Sequence, residues 1–153
     1  MGNHPGHRAL RKGRVSLPGQ VYLLTTTTAR RSPWFQDTTC ARTFCRLMTE
    51  AKTWGDARVL CWVLMPDHWH GLVELGEHDG VSLVMNRLKS LSAKSLVRQG
   101  RGMPLWSRGF HDHALRQDED LRAAARYIVA NPVRSGLVRR SLDYPYWDCI
   151  WLP

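Results

Sequence analysis

Two neighbouring segments constrain the fold of this chain more than any other feature. Residues 59–65 are seven consecutive apolar side chains, which is the length and composition of a central β-strand. A Pro-Asp pair then marks a turn, and residues 68–75 predict the return strand of a hairpin. Because side chains alternate along a strand, we expect His68 and His70 on one face and Trp69 on the other.

Hydrophobic periodicity and turn residues predict the other elements. They are a strand at 21–28, a helix from an N-cap at 37 or 38 to Gly55, an amphipathic helix at 82–98, a strand at 106–116 and a helix at 121–131 that Pro132 ends. The order β-α-β-β-α-β-α indicates an α+β domain with a four-stranded, mainly antiparallel sheet.

The composition combines a hydrophobic core with a strong positive charge. The 153 residues are 43% hydrophobic, and 22 Lys and Arg against 13 Asp and Glu give a formal net charge of +9. This apolar content excludes a disordered chain, and the charge favours nucleic acid as a partner. With no apolar run longer than seven residues and no secretory signal, we expect no membrane span and a cytoplasmic, nucleoid-associated protein.

Differences in composition along the chain predict three parts. We expect a basic arm at 1–19, one domain at 20–138 and an aromatic tail at 139–153. The arm, the second helix and the third helix carry the side chains that we expect to contact DNA: Arg11, Lys12, Arg14, Arg87, Lys94, Arg98, Arg126 and Arg134.

The histidines of the predicted hairpin have the spacing of a metal site. Two imidazoles on one face of a strand, with a single residue between them in the sequence, are close enough to hold one divalent ion. A second His-x-His, at His111 and His113, has a charged middle residue that would be costly to bury, whereas Trp69 suits a core position. We therefore favour His68 and His70 as ligands and interpret the second pair as polar edge residues beside the site.

The third helix adds a possible nucleophile. Tyr127 and Asn131 are four residues apart and so face the same way, with Arg126 and Arg134 beside them. A tyrosine on a helix is more often a core or boundary aromatic. Together with a histidine pair and basic residues, however, the tyrosine indicates a phosphoryl-transfer site in which a phenolate attacks a phosphate.

Two segments of the sequence carry a family resemblance. MPDHWH at 65–70 and RYIVANPVRSGLV at 126–138 closely resemble the REP-associated tyrosine transposases, bacterial single-tyrosine HUH proteins related to insertion-sequence transposases that act on single-stranded DNA. The resemblance covers residues 19–147. It implies an HUH endonuclease core at 20–138, with a ferredoxin-like or RRM-like sheet, flanking helices and the catalytic tyrosine on the last helix.

The resemblance also implies roles for individual residues. Tyr127 is the nucleophile, and His68 and His70 hold a hard divalent cation, Mg²⁺ or Mn²⁺. Asn131 stands where relatives supply a third ligand, often Gln; because Asn is shorter and Pro132 follows it, it is either that ligand or a helix cap. The implied reaction is nicking and strand transfer on single-stranded hairpin DNA through a 5′-phosphotyrosine, by a monomer or a homodimer.

Two other function classes stay open at this point. A module that binds hairpin DNA or structured RNA without cleavage needs only an RRM-like sheet and positive charge, although it has no use for a histidine pair facing a tyrosine. A metal-dependent hydrolase needs a carboxylate base. Asp67 is expected to point away from the histidines on an ideal strand, although as a turn residue it could swing toward them.

Some of the seven tryptophans are candidates for stacking on unpaired bases. Trp54, Trp62 and Trp69 lie in apolar-periodic segments and are assigned to the core. The candidates for base stacking are Trp34, Trp106, Trp147 and Trp151.

Overall fold

A five-stranded antiparallel sheet organises the protein, which this computed structural model describes over residues 17–97, 104–116 and 120–151. The strands are β1 (Val21–Thr27), β2 (Arg58–Met65), β3 (His68–Glu74), β4 (His111–Ala114) and β5 (Trp147–Cys149). The α-helices are α1 (Thr38–Met48), α2 (Ala51–Trp54), α3 (Val81–Val97), α4 (Leu121–Val129) and α5 (Asn131–Arg134). Short 3₁₀ turns occupy Ala29–Arg31, Trp34–Gln36 and Ser141–Asp143.

The predicted hairpin forms the middle of this sheet. The strand order is β4-β1-β3-β2-β5, and every neighbouring pair is antiparallel. Met65 pairs with His68 across the two-residue turn. The α+β class and the mainly antiparallel sheet are therefore confirmed, and β3 lies at the centre because two strands lie on each side of it.

The expectation of four strands was wrong by one. The segment predicted as an aromatic tail supplies β5, which pairs with the outer edge of β2 through hydrogen bonds from Ile150 N to Leu60 O and from Leu64 N to Tyr146 O, each 2.9 Å. A strand of three residues is too short to show the alternation by which strands are recognised in a sequence. The predicted fourth strand, 106–116, is also shorter, because only His111–Ala114 pairs continuously with β1.

The first and third predicted helices are both interrupted. Asp37 caps α1 as expected, accepting hydrogen bonds from Thr39 N and Cys40 N. The helix then breaks at Thr49, whose hydroxyl donates to Arg46 O, and restarts as α2. At the other interruption α4 ends at Val129, and Asn131 begins the separate turn α5, with Pro132 in the first turn where its missing N–H does no harm.

Helices cover both faces of the sheet. On one side, the three-helix face, α1, α2 and α3 pack over a core that includes Phe44, Trp54, Trp69, Val84 and Leu88. On the other side, the α4 face, α4 and the β5 segment pack over Cys61, Val63, Leu72, Ala125 and Ile128. Within the described parts of the chain, no helix is both long enough and apolar enough to span a membrane.

Candidate active site

The two histidines of β3 lie side by side on the α4 face. Their ring centroids are 4.7 Å apart, and the ring planes are nearly perpendicular at 84°. Trp69 between them points to the three-helix face and is fully buried there. The alternation of the strand thus places both imidazoles together while the residue between them anchors the strand in the core.

Each histidine is oriented through its Nδ1 atom. Nδ1 of His70 lies 2.8 Å from the hydroxyl of Thr25, the residue opposite it on β1. Nδ1 of His68 lies 2.7 Å from Oδ1 of Asp67. Partners of this kind fix the tautomer of metal-binding histidines and leave Nε2 for the metal. The donor set therefore fits a divalent cation held by the two Nε2 atoms.

Asp67 does not point away from the histidines, contrary to the expectation from an ideal strand. It is a turn residue, so strand alternation does not govern its side chain, and its second oxygen, Oδ2, accepts a hydrogen bond of 3.0 Å from Arg31 Nε. Burial raises the pKa of Asp67, but hydrogen bonds from His68 and Arg31 outweigh it and hold the pKa below its usual value. Asp67 is thus an ionised carboxylate with both oxygens engaged, rather than a free base.

His70 is held in its neutral form. Burial, followed by the positive charges of His68, Arg134 and Arg31, lowers the pKa of His70 to about 4. A neutral imidazole does not need to lose a proton before it binds a metal ion. The electrostatics of the site therefore agree with the ligand role that the spacing predicts.

Tyr127 stands at the rim of the α4 face. Its helix is held to the sheet by Ala125 and Ile128, which are buried, whereas the Tyr127 side chain is 60% exposed. The guanidinium of Arg134 stacks 3.8 Å from the centre of the tyrosine ring and donates a 2.7 Å hydrogen bond to Tyr127 O. Because Arg134 also acts on His70 electrostatically, it connects the tyrosine to the histidine pair.

Asn131 is not a helix cap. Ala130 is the C-cap of α4, and the side chain of Asn131 caps neither α4 nor α5. It is partly buried at the start of α5. In the described residues no three His, Cys, Asp or Glu side chains cluster as a metal site, so no third ligand of these types joins the histidine pair there. Asn131 carries the remaining prediction of a third protein ligand. That role stays a prediction.

The predicted DNA-binding residues fall into separate places. Arg126 and Arg134 are exposed beside Tyr127. Arg87 lies on α3, on the opposite side of the sheet, and is held by Asp79 at 3.0 Å, with both side chains largely buried. It is part of an internal ion pair rather than an exposed stripe, which corrects the expectation. Lys94 is exposed on the same helix, and Arg98 and the arm residues lie outside the described residues: Arg11, Lys12 and Arg14.

The second His-x-His borders the first. His111 pairs with Thr25, which pairs with His70, so all three side chains face the same way. The backbones of His111 and His70 are two strand spacings apart, about 10 Å, and among the described residues no three metal-ligating side chains cluster there. The interpretation of His111 and His113 as polar edge residues beside the site agrees with this geometry.

Two of the predicted base-stacking residues belong to the core. Trp34 and Trp106 are buried, and the indole of Trp106 donates to Ser92 Oγ at 2.8 Å. Trp147 and Trp151 are partly exposed. The prediction was wrong for the first two because loop residues that lack periodicity can still pack against a core.

Sequence reasoning also missed side chains near the site. Thr25 was placed in a strand, but its pairing with His70 depends on the register of β1 against β3, which one sequence does not show. Arg30 and Arg31 follow β1 after Thr28 and Ala29, and a basic pair so close to the end of a strand was a signal that could have been used.

Comparisons with known proteins agree with this geometry. Residues 18–131 match the sequence model of the family described as "Transposase IS200 like". A REP-associated tyrosine transposase of Escherichia coli K12 is 31% identical over 86 residues, 56% of this chain and 50% of its own length. A Haemophilus influenzae Rd protein assigned to the same transposases is 32% identical over 94 residues, 54% of this chain and 53% of its own. The chain thus matches about half the length of these relatives.

A solved structure shares the fold. It is a REP-associated tyrosine transposase bound to a REP hairpin, and it superimposes with a TM-score of 0.70 at 24% sequence identity. The match covers 88% of this chain and 79% of that one. At this identity the likeness establishes the common architecture: an antiparallel sheet with flanking helices.

Proposed function

The chain belongs to the IS200-like transposase family, and from that premise we propose that it nicks and transfers single-stranded DNA beside a hairpin, with Tyr127 as the nucleophile. The observation that carries the proposal is the histidine pair, oriented by Asp67 and Thr25 on the face whose rim holds an exposed tyrosine. The relative bound to a REP hairpin supports this class of substrate.

The proposal includes a divalent cation, Mg²⁺ or Mn²⁺. Nε2 of His68 and of His70 would hold it, with Asn131 as the third protein ligand and DNA oxygens completing the shell. When bound, such an ion makes the phosphorus more electrophilic and neutralises charge that develops on the phosphate. The protein's own contribution is to keep His70 neutral and to orient both imidazoles through Thr25 and Asp67.

Tyr127 performs the covalent step. Its phenolate oxygen attacks the phosphorus, the bond from phosphorus to the 3′ oxygen breaks, and that strand leaves with a 3′-OH. The other strand end stays joined to the protein as a 5′-phosphotyrosine. One phosphodiester is exchanged for another, so attack by a different 3′-OH reverses the step and completes strand transfer.

The arginines next to Tyr127 have a positioning role in this scheme. Arg134 stacks on the tyrosine ring, and its positive charge also acts on His70. Arg126 is exposed one residue before the nucleophile, where it can contact the DNA backbone. Exposure of Tyr127 matters because a phosphate on an unpaired, bendable strand has to reach it.

The other two classes fit the geometry less well. A hydrolase would need a free base to activate water, but each oxygen of Asp67 already takes part in a hydrogen bond. A binding module would have no use for two imidazoles whose Nδ1 atoms are both engaged.

A covalent-adduct assay tests the proposal. The protein is incubated with Mg²⁺ and a labelled DNA hairpin that carries single-stranded flanks, and the products are separated on a denaturing gel. We expect a protein–DNA adduct from the parent protein and from Tyr146→Phe, a matched change elsewhere in the chain, and none from Tyr127→Phe. An undiminished adduct from Tyr127→Phe would refute the assignment of the nucleophile.

A further inference from the structure

Two of the four cysteines face each other across neighbouring strands. Cys61 on β2 pairs directly with Cys149 on β5, and both are buried on the α4 face. Their thiols are free and lie within hydrogen-bonding reach of each other. The other two cysteines, Cys40 and Cys45, belong to α1 and pack on the three-helix face. The sheet thus brings together two thiols that are far apart in the sequence.

The register of the two strands suits a disulfide at this pair. Ile150 N donates to Leu60 O at 2.9 Å, so the ladder hydrogen bond lies just beyond Cys149 on one strand and just before Cys61 on the other. In an antiparallel ladder this pattern defines a non-hydrogen-bonded pair, whose Cα atoms are about 4.5 Å apart. Disulfides span Cα distances of about 4.4–6.8 Å. The two sulfurs can therefore be joined without a large movement of either strand.

An open cleft reaches one of the two thiols. Its volume is about 300 Å³, and Cys149 lines it together with Trp151 and residues of α4. Cys61 lies deeper, fully buried against the backbone of α4, where its thiol donates to Ala125 O at 3.8 Å. Burial, followed by the neighbouring Cys149, raises the pKa of the Cys61 thiol. A small solute therefore meets Cys149 first, while Cys61 stays protonated beside it.

We propose that Cys61 and Cys149 form a peroxide-responsive modification site that closes into a cross-strand disulfide. The Cys149 sulfur attacks one oxygen of hydrogen peroxide, the O–O bond breaks, and the released hydroxide takes up the thiol proton and leaves as water. The Cys61 sulfur then attacks the sulfur of the resulting sulfenic acid, the S–O bond breaks, and the hydroxyl group leaves with the second thiol proton as water. Two thiols are oxidised to one disulfide, and one peroxide is reduced to two waters.

The disulfide fastens the last strand to the central hairpin. β5 has only three residues and pairs with β2 alone, so little free energy opposes its local opening. A covalent bond between Cys61 and Cys149 prevents this opening, and it also restricts the unfolded chain over the long loop between them. Because thiols can reduce the bond again, redox conditions set how firmly the strand beneath α4 is held.

Peptide mapping of the full chain tests the proposal. The protein is treated with hydrogen peroxide, the remaining thiols are alkylated in denaturant, and the peptides are identified by mass spectrometry. We expect a crosslinked pair of peptides that contains Cys61 and Cys149 and that dithiothreitol separates. Cys45 is the internal control, because burial raises its pKa to about 12 and it should stay reduced. Unlinked thiols at 61 and 149, or oxidation of Cys45 ahead of the pair, would overturn the proposal.

Single substitutions assign the order of the two steps. In Cys61→Ala the sulfenic acid has no thiol to resolve it, so dimedone should label Cys149. In Cys149→Ala the buried Cys61 should be labelled at least about tenfold more slowly. Cys45→Ala should leave the crosslink of the parent unchanged. Equal labelling of Cys61 and Cys149 would refute the cleft as the route of the oxidant. Mapping of the parent decides the crosslink itself even where a substitution of a buried cysteine unfolds the protein.

Thermal unfolding measures what the disulfide does. The midpoint of the oxidised parent should lie roughly 5–15 °C above that of the reduced parent, and dithiothreitol should reverse the shift. Cys61→Ala treated with peroxide in the same way should show no upward shift. A crosslinked parent with an unchanged midpoint would refute the fastening of β5.

Discussion

The two faces of the sheet differ in the side chains that they present. On the three-helix face aromatic rings pack together: the centroids of Trp54 and Trp69 are 6.2 Å apart, and those of Phe35 and Phe44 are 5.3 Å apart. On the α4 face a row of polar side chains crosses three strands at His111, Thr25 and His70. One face therefore supplies the rigidity, and the other presents oriented polar groups. The rigidity of the first fixes the geometry of the second.

Adjacent residues of β3 make this contrast sharp. His70 faces α4, and Gly71 faces the opposite core. A Cβ atom on Gly71 would lie 2.3 Å from Cη2 of Trp69, because the indole lies across the position two residues further along the strand. A glycine is needed there to admit the ring. A substitution at His70 should therefore impair activity and spare stability, whereas a substitution at Gly71 should impair stability and spare activity.

The largest expected effect is the loss of chemistry at His70. His70→Ala should reduce adduct formation by on the order of a thousandfold, because it removes a metal ligand, while stability changes little. EDTA should do the same to the parent protein, and added Mn²⁺ should restore activity. Adduct yield and urea unfolding measure the two properties. An active His70→Ala protein would show that the α4 face does not carry the reaction.

The second effect is a loss of stability at Gly71. Gly71→Ala should lower the free energy of unfolding by about 1–3 kcal/mol, because the new methyl group overpacks the core against Trp69. At low temperature the folded protein should still form adducts. In a Trp69→Phe background, where the clashing ring atoms are gone, the same substitution should cost less. Equal costs in both backgrounds would rule out the indole as the cause.

The third effect concerns the groups that orient the histidines. Thr25→Val and Asp67→Asn should each weaken Mn²⁺ binding by about 10- to 100-fold, since each removes or weakens the partner of an Nδ1 atom. Isothermal titration calorimetry with Mn²⁺ alone measures this without any catalytic readout. Unchanged affinity in both variants would mean that the histidines do not bind a metal through the geometry described above.

The smallest expected effect is a gain in stability at Thr26, the neighbour of Thr25 on β1. Thr26 faces the three-helix core, where its buried hydroxyl finds no hydrogen-bond partner among the described residues. Thr26→Val should raise the free energy of unfolding by about 1 kcal/mol, because it removes an unsatisfied polar atom, and should leave Mn²⁺ affinity unchanged. If Thr26→Val weakened Mn²⁺ binding as much as Thr25→Val, the division between the faces would be wrong.

The sequence predicts the parts of the site that depend on one strand or one helix. The spacing of His68 and His70 is local, and a period of two is enough to put both on one face. The positions of Thr25 and Asp67 depend on strand register and on a turn conformation, which residue types alone do not determine. The partner of Arg87 is Asp79, from the loop before α3, so a helical charge pattern could not reveal that the guanidinium was already engaged.

Other features were missed for different physical reasons. β5 is too short for periodicity and is recognisable only through its pairing with β2. The left-handed conformations of Arg30 and Arg31 run against the preference of these residues, so no propensity predicts them. Both features arise from tertiary contacts that override local tendencies.

The pairing of β5 with β2 also affects how the protein is made. β5 follows every other strand in the sequence, yet it covers the outer edge of a strand in the central hairpin. While the chain emerges from the ribosome, the hairpin can form early, but the edge of β2 keeps unpaired backbone groups until the segment around Trp147 has been synthesised. Tyr144 then hydrogen-bonds to Leu64 O beside the new strand. A nascent chain therefore exposes an aggregation-prone edge from the synthesis of β3 until that of β5, and translation stops within this interval would release it in that state.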